Sequence, residues 1–104
     1  MEKFNVIIEI PAIEDLNEIL SYITYILKEP AIAKRIYASI KAKLKTLEFM
    51  PNRHAVVDEE RYRKLGIRKL PVESYTAFYS VDESTKTVHV LRILYNRRNW
   101  KNLI

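Results

Sequence analysis

The apolar residues of this chain change period at Pro51, and that change constrains the fold more than any other feature. From Pro11 to Pro51 they recur every three or four residues; beyond Pro51 they largely alternate. Ile13, Leu16, Leu20, Ile23 and Leu27 share one helical face, widened by Ile19 and Ile26, which predicts a helix over about 12–28. Pro11 suits its first turn, and Glu14, Asp15 and Glu18 lie where the helix dipole favours negative charge. Glu29-Pro30 breaks it. Ile32, Ile36, Ile40, Leu44 and Leu47 then line a second helix, with Lys41, Lys43 and Lys45 in its C-terminal half and Pro51 closing it. Two long helices with almost no linker predict an antiparallel helix hairpin.

Strands flank the hairpin. Phe4 to Ile10 reads as a first strand stopped by Pro11. A polar loop from Asn52 to Glu60 leads to a strand near Tyr62–Val72, kinked or bulged around Gly66. Tyr75–Val81 is rich in aromatic and branched residues, Asp82–Lys86 supplies a turn, and Thr87–Tyr95 is apolar on both faces apart from His89 and Arg92, as a central strand would be. The expected class is α+β in the order β-α-α-β-β-β, with the helix hairpin on one face of a mainly antiparallel four-stranded sheet. Residues 1–104 form one domain, with the other sheet face at least partly open and framed by basic residues.

With 48% hydrophobic and 30% charged residues, the chain has the balance of a folded domain. It has no cysteine, which excludes disulfides and thiolate metal sites and fits a reducing cytosol. Its N-terminus does not resemble a signal peptide, and no stretch approaches the roughly 18 uncharged apolar residues that span a bilayer; a cytoplasmic location is the expectation. The net charge of +5 is uneven: residues 1–29 hold two bases against six acids, the remainder 16 against seven. A basic surface meeting an acidic partner, nucleic acid or protein, follows from that asymmetry, although lysines on helix faces often serve only solvation.

Phosphate-loop, zinc-protease and nucleophile-elbow motifs are all absent, and two histidines are too few for a persuasive metal site. His89, in an apolar strand, reads as structural; His54, beside Arg53 in a polar loop, reads as the more accessible. The basic residues say more. Arg61, Arg63, Lys64, Arg68 and Lys69 cluster in and before one strand, while Arg92, Arg97, Arg98 and Lys101 lie on or after the last. In a meander the two groups can converge beside the aromatic rings of Tyr75, Tyr79, Tyr95 and Trp100, which would suit single-stranded RNA. Alternation nevertheless places Arg68 and Lys69 on opposite faces.

Three segments carry a family resemblance. Pro11 to Ile23, with Asp15-Leu16 and Tyr22-Ile23, resembles the first helix of RelE/ParE toxins. Arg68-Lys69-Leu70-Pro71-Val72, then Tyr75 and Phe78 to Asp82, resembles their central hairpin. Val88 to Leu94, followed by Tyr95-Asn96-Arg97-Arg98-Asn99-Trp100, resembles their last strand and basic tail.

The resemblance implies the toxin of a type II toxin–antitoxin module, active in growth arrest and plasmid stabilization and covered on its basic surface by a cognate antitoxin. It implies no cofactor and no metal. One branch of the superfamily cleaves mRNA at the ribosome through the 2′-hydroxyl; the ParE-like branch inhibits DNA gyrase. For the ribonuclease reading the candidate catalytic residues are Lys69, Arg97, Tyr95 and His54. For RNA or antitoxin binding they are Arg61, Arg63, Arg68, Lys69, Arg92, Arg97, Arg98 and Trp100. Several RNA-cleaving members carry arginine after the aromatic that opens the middle strand, where this chain has Thr76. That departure and the long hairpin favour the ParE-like branch. A non-toxic interaction domain retaining the fold is a third reading, and both a homodimer and a toxin–antitoxin hetero-oligomer are compatible with the sequence.

Overall fold

The computed structural model describes residues 2–98 and 101. Strand β1 (Asn5–Ile8) ends two residues before the alternation suggests, because helix α1 (Ile10–Ser21) already begins at Ile10 with Pro11 in its first turn. Proline lacks the N–H that a first-turn residue leaves unbonded in any case. Helix α1 then widens into a π-helical turn over Tyr22–Ile26, where the Leu27 amide donates to the Tyr22 carbonyl at 3.0 Å. Lys28 turns the chain at φ 56°, and helix α2 (Pro30–Lys45) packs back toward α1.

The buried stripe of α1 is not quite the one the sequence suggests. Ala12, Asp15 and Ile23 are buried and Leu16, Ile19 and Leu20 pack against the core, whereas Ile13, Ile26 and Leu27 are exposed. In α2 the buried residues are Ala33, Ile36, Ile40 and Leu44, and Ile32 is exposed. A 3-10 turn at Thr46–Glu48 buries Leu47, Met50 adopts a left-handed conformation (φ 51°), and a second 3-10 turn follows at Pro51–Arg53.

The expected strand over Tyr62–Val72 opens as helix and turn. Helix α3 (Glu60–Arg63) occupies its start, and strand β2 is confined to Arg68–Val72. Gly66 (φ 72°) ends the helical turn and does not bulge a strand. The Gly66 amide donates to Arg63 O at 2.9 Å and the Ile67 amide to Tyr62 O at 3.2 Å, the paired bonds of a Schellman ending. Its customary apolar contact is present, since Tyr62 and Ile67 share one buried cluster.

Strands β3 (Tyr75–Asp82) and β4 (Thr87–Tyr95) complete a sheet of order β1-β4-β3-β2. β4 is central, parallel to β1 (Asn5 opposite Thr87) and antiparallel to β3, so the expected α+β class and mainly antiparallel sheet are observed. The register shifts between Phe78 and Tyr79, leaving Leu91 as the extra residue of a bulge in β4. The main core lies between helices and sheet, with Tyr79, Val88 and Val90 fully buried on the helix-facing side. The opposite face, expected to be at least partly open, is covered in part. Val57, Tyr62, Ile67, Phe78 and Leu94 form a second, smaller core there, with Leu91 against it. No described helix is long and apolar enough to cross a membrane.

Candidate functional site

β1 covers only the first half of β4, so the edge of β4 beyond Val90 needs another partner. Asp15 of α1 supplies it. Its carboxylate accepts the Ile93 amide at 3.0 Å and takes the Arg92 guanidinium through Nε at 2.7 Å and Nη2 at 2.8 Å. Asp15 is 5% exposed, and this two-point grip holds the Arg92 guanidinium above its already high ordinary pKa. Arg92, a candidate ligand-binding residue from sequence, is therefore committed to an internal ion pair. Asp15 looked like a dipole-matching acid; its spacing from Ala12 and Ile19 was the signal that it sits on the buried face.

Beside this clamp lies an apolar groove of about 830 Å³ between the π-helical turn and the ends of β3 and β4. Its walls include Ile19, Tyr22, Ile26, Tyr75 and Tyr95, with Arg98 at the rim. Tyr75 and Tyr95 sit directly opposite in the ladder with ring centroids 5.8 Å apart. Desolvation, reinforced by Tyr95 and Glu73, pushes the Tyr75 phenol pKa up. Next to the groove, Tyr22, Tyr25, Ile26 and Leu27 are each more than half exposed, Tyr25 reaching 73%. Four large apolar side chains crowded at one hairpin tip are more than the scattered apolar exposure of an ordinary surface. The sequence signal was the widening of the α1 stripe near Ile26, which leaves too many apolar residues for one buried face.

At the far end of the sheet, the loop 49–54 packs on Tyr79. The Tyr79 hydroxyl donates to Pro51 O at 2.5 Å, and burial pushes its pKa up to about 12. Tyr79 is 0% exposed, a core residue and no stacking platform. His54 meets its ring edge-on, centroids 6.3 Å apart, with Nε2 buried and unpartnered. Burial first, then the charges of Arg53, Lys43 and Arg68, hold the imidazole below its usual pKa. His54 is thus half-buried, less accessible than its polar neighbourhood suggested.

Residues 6–100 match the family described as the ParE toxin of type II toxin–antitoxin system, parDE. The chain belongs to the ParE toxin family. Among solved structures it is similar to a chromosomal ParDE toxin–antitoxin system from P. aeruginosa, with a TM-score of 0.73 and 24% identity over 89% of this chain and 96% of that one. It is also similar to the RelBE2 toxin–antitoxin complex from Mycobacterium tuberculosis, with a TM-score of 0.65 and 21% identity over 91% and 93% of the two chains. No curated protein matches it by sequence.

In this ParE-family chain the candidate catalytic residues do not converge. Lys69 lies opposite Phe78 and so shares the face of the second core, whereas Tyr95 lies opposite Tyr75 on the helix-facing side. His54 abuts Tyr79, four residues along β3 from Tyr75, about 13 Å at the usual strand rise. Arg97 is exposed in the turn after β4. Thr76, next to Tyr75 at the start of β3, donates its hydroxyl to Asn96 Oδ1 at 2.6 Å.

The other sequence candidates are divided as well. Arg61 stacks over the Tyr62 ring at 4.7 Å and, with the Tyr62 hydroxyl, donates to Lys101 O, so it ties the tail to α3. Arg63 is exposed on α3. Arg68 lies opposite Tyr79 and donates to His54 O at 2.6 Å, on the face away from Lys69 as alternation requires. His89, read as structural, sits 3.5 Å from Glu9 through Nδ1. Trp100 lies outside the described residues. Among the described residues no group of three or more acidic or histidine side chains is placed to hold a metal ion.

Proposed function

We propose that this chain is the toxin of a type II toxin–antitoxin pair and arrests growth by binding DNA gyrase, not by cutting mRNA. The observation that carries this reading is the scatter of Lys69, Tyr95 and His54 over two sheet faces. Metal-free cleavage needs a base, an acid and a phosphate-stabilising cation around one scissile bond, each within hydrogen-bond reach. Membership of the ParE family agrees with an inhibitor that works by occupancy.

The same reading assigns the apolar groove and hairpin tip to the antitoxin. A segment with apolar residues at helical spacing would cover Tyr22, Tyr25 and Ile26, while acidic residues beside it would meet Arg98. The partner is then a short protein with an acidic tail, encoded next to this one. Purified toxin should block supercoiling by gyrase or trap cleaved DNA, and adding the neighbouring gene product should restore activity. Full supercoiling at excess toxin, together with transcripts cut within codons in arrested cells, would instead establish the ribonuclease. Absence of any growth arrest would establish the non-toxic interaction domain.

A further inference from the structure

Four of the molecule's cations are neutralised by close carboxylates: Arg92 by Asp15, Arg35 by Glu73, Lys86 by Glu2 and Glu83, and Lys64 by Glu60. Lys43, Arg53 and Arg68 have no ion-pair partner among the described residues. They come from α2, the loop after it and β2, and all three act on His54 through their charge. Two of them are held in place by backbone. Arg53 donates to Phe49 O at 3.1 Å and Arg68 to His54 O, so both guanidiniums are pinned to the loop 49–54. Each has five N–H donors, and these bonds leave the rest unspent. Carboxylates on the adjoining turns are engaged elsewhere, Glu73 by Arg35 and Glu83 by Asn52 and Lys86. The result is a positive corner where α2 meets β2, its two guanidiniums held on the loop 49–54 and the exposed Lys43 ammonium alongside.

We propose that Lys43, Arg53 and Arg68 form a docking site for the phosphodiester backbone of a nucleic acid. Pre-positioned guanidiniums with a flexible ammonium alongside suit phosphate oxygens, and little side-chain freedom is lost on binding. A flat, unspecific electrostatic contact of this kind positions a strand without reading its bases. The site stands apart from the identity of the toxin's target. His54 reports on it from within. Its ring faces Tyr79 of β3 and lies in the field of Lys43, Arg53 and Arg68, so a phosphate seated among the cations removes the part of its pKa lowering that comes from their charge, burial supplying the larger part.

The test is fluorescence anisotropy of a labelled 16-mer DNA, single- and double-stranded, with the full chain over a salt series. Wild type should bind. Lys43→Glu, an exposed helix substitution, should weaken binding severalfold, and Lys43→Glu with Arg53→Glu at least tenfold, with the salt slope lower by about two. Arg53→Lys, which keeps the charge, should retain most of the affinity, and melting curves verify folding of each variant. In proton NMR, bound DNA should raise the His54 titration midpoint. Equal binding by wild type and the double variant, no binding by wild type, or loss only on reversing Arg97 and Arg98 would overturn the site. Displacement by millimolar inorganic phosphate as complete as by unlabelled DNA would reassign it to a free anion. Displacement by an equally charged polyglutamate peptide would reassign it to an acidic protein segment.

Discussion

Asp15 places a carboxylate against the uncovered edge of β4, and its oxygens meet one backbone and two guanidinium donors there. Removing it strands a half-buried cation and an amide together. Asp15→Ala should therefore cost about 3–5 kcal/mol in urea unfolding, and Asp15→Ala with Arg92→Met clearly less than the sum of the single changes. Additive losses would show that the pair is not coupled. His54 gives a pH dependence whose sign follows from its lowered pKa. In the unfolded chain it takes a proton near pH 6.5, while in the folded protein it stays neutral to lower pH. Stability is thus unaffected above about 6.5 and falls as the pH drops toward the folded value. His54→Gln should flatten that part of the stability curve; an unchanged slope would assign the acid sensitivity to other groups.

Among the elements, the ending of α3 and the π-helical turn are the informative ones. Gly66 holds φ 72° with open space where a Cβ would point, so Gly66→Ala tests backbone strain alone and should cost about 1 kcal/mol. At the π-helical turn, Tyr25→Ser with Ile26→Asp removes exposed apolar surface from the hairpin tip. Melting should stay nearly unchanged, within about 0.5 kcal/mol, while antitoxin binding drops at least tenfold in titration calorimetry. The helices were legible because proline boundaries and a helical period coincide in them. Tyr62–Leu65 was not, because alternation around Gly66 fits a bulged strand as well as a helical end; only the bonds from Gly66 and Ile67 separate the two. The basic residues could be counted in the sequence, but not sorted. Arg92 finds Asp15 across 77 positions, and no local pattern reveals which cations are already neutralised.

For the whole molecule, one surface is apolar at the hairpin tip, one corner is positive near Lys43, and the sheet face expected to be at least partly open is covered in part by the core around Phe78 and Leu94. These regions are spaced by the sheet itself, which leaves each accessible without the others. The sheet also imposes an order of events on the cell. Its central strand, β4, is the last to be synthesised, and β1, the first, has only β4 beside it, with Asn5 opposite Thr87. Until β4 emerges, β1 has no ladder partner and α1 has no strand edge on which to close Asp15. Chains ended by a stop codon before Thr87 should be degraded quickly by protease and cause no growth arrest. A stable, toxic fragment of that length would contradict this. An interrupted ribosome would then release harmless peptide, and the poison would come into being only once β4 itself has been translated.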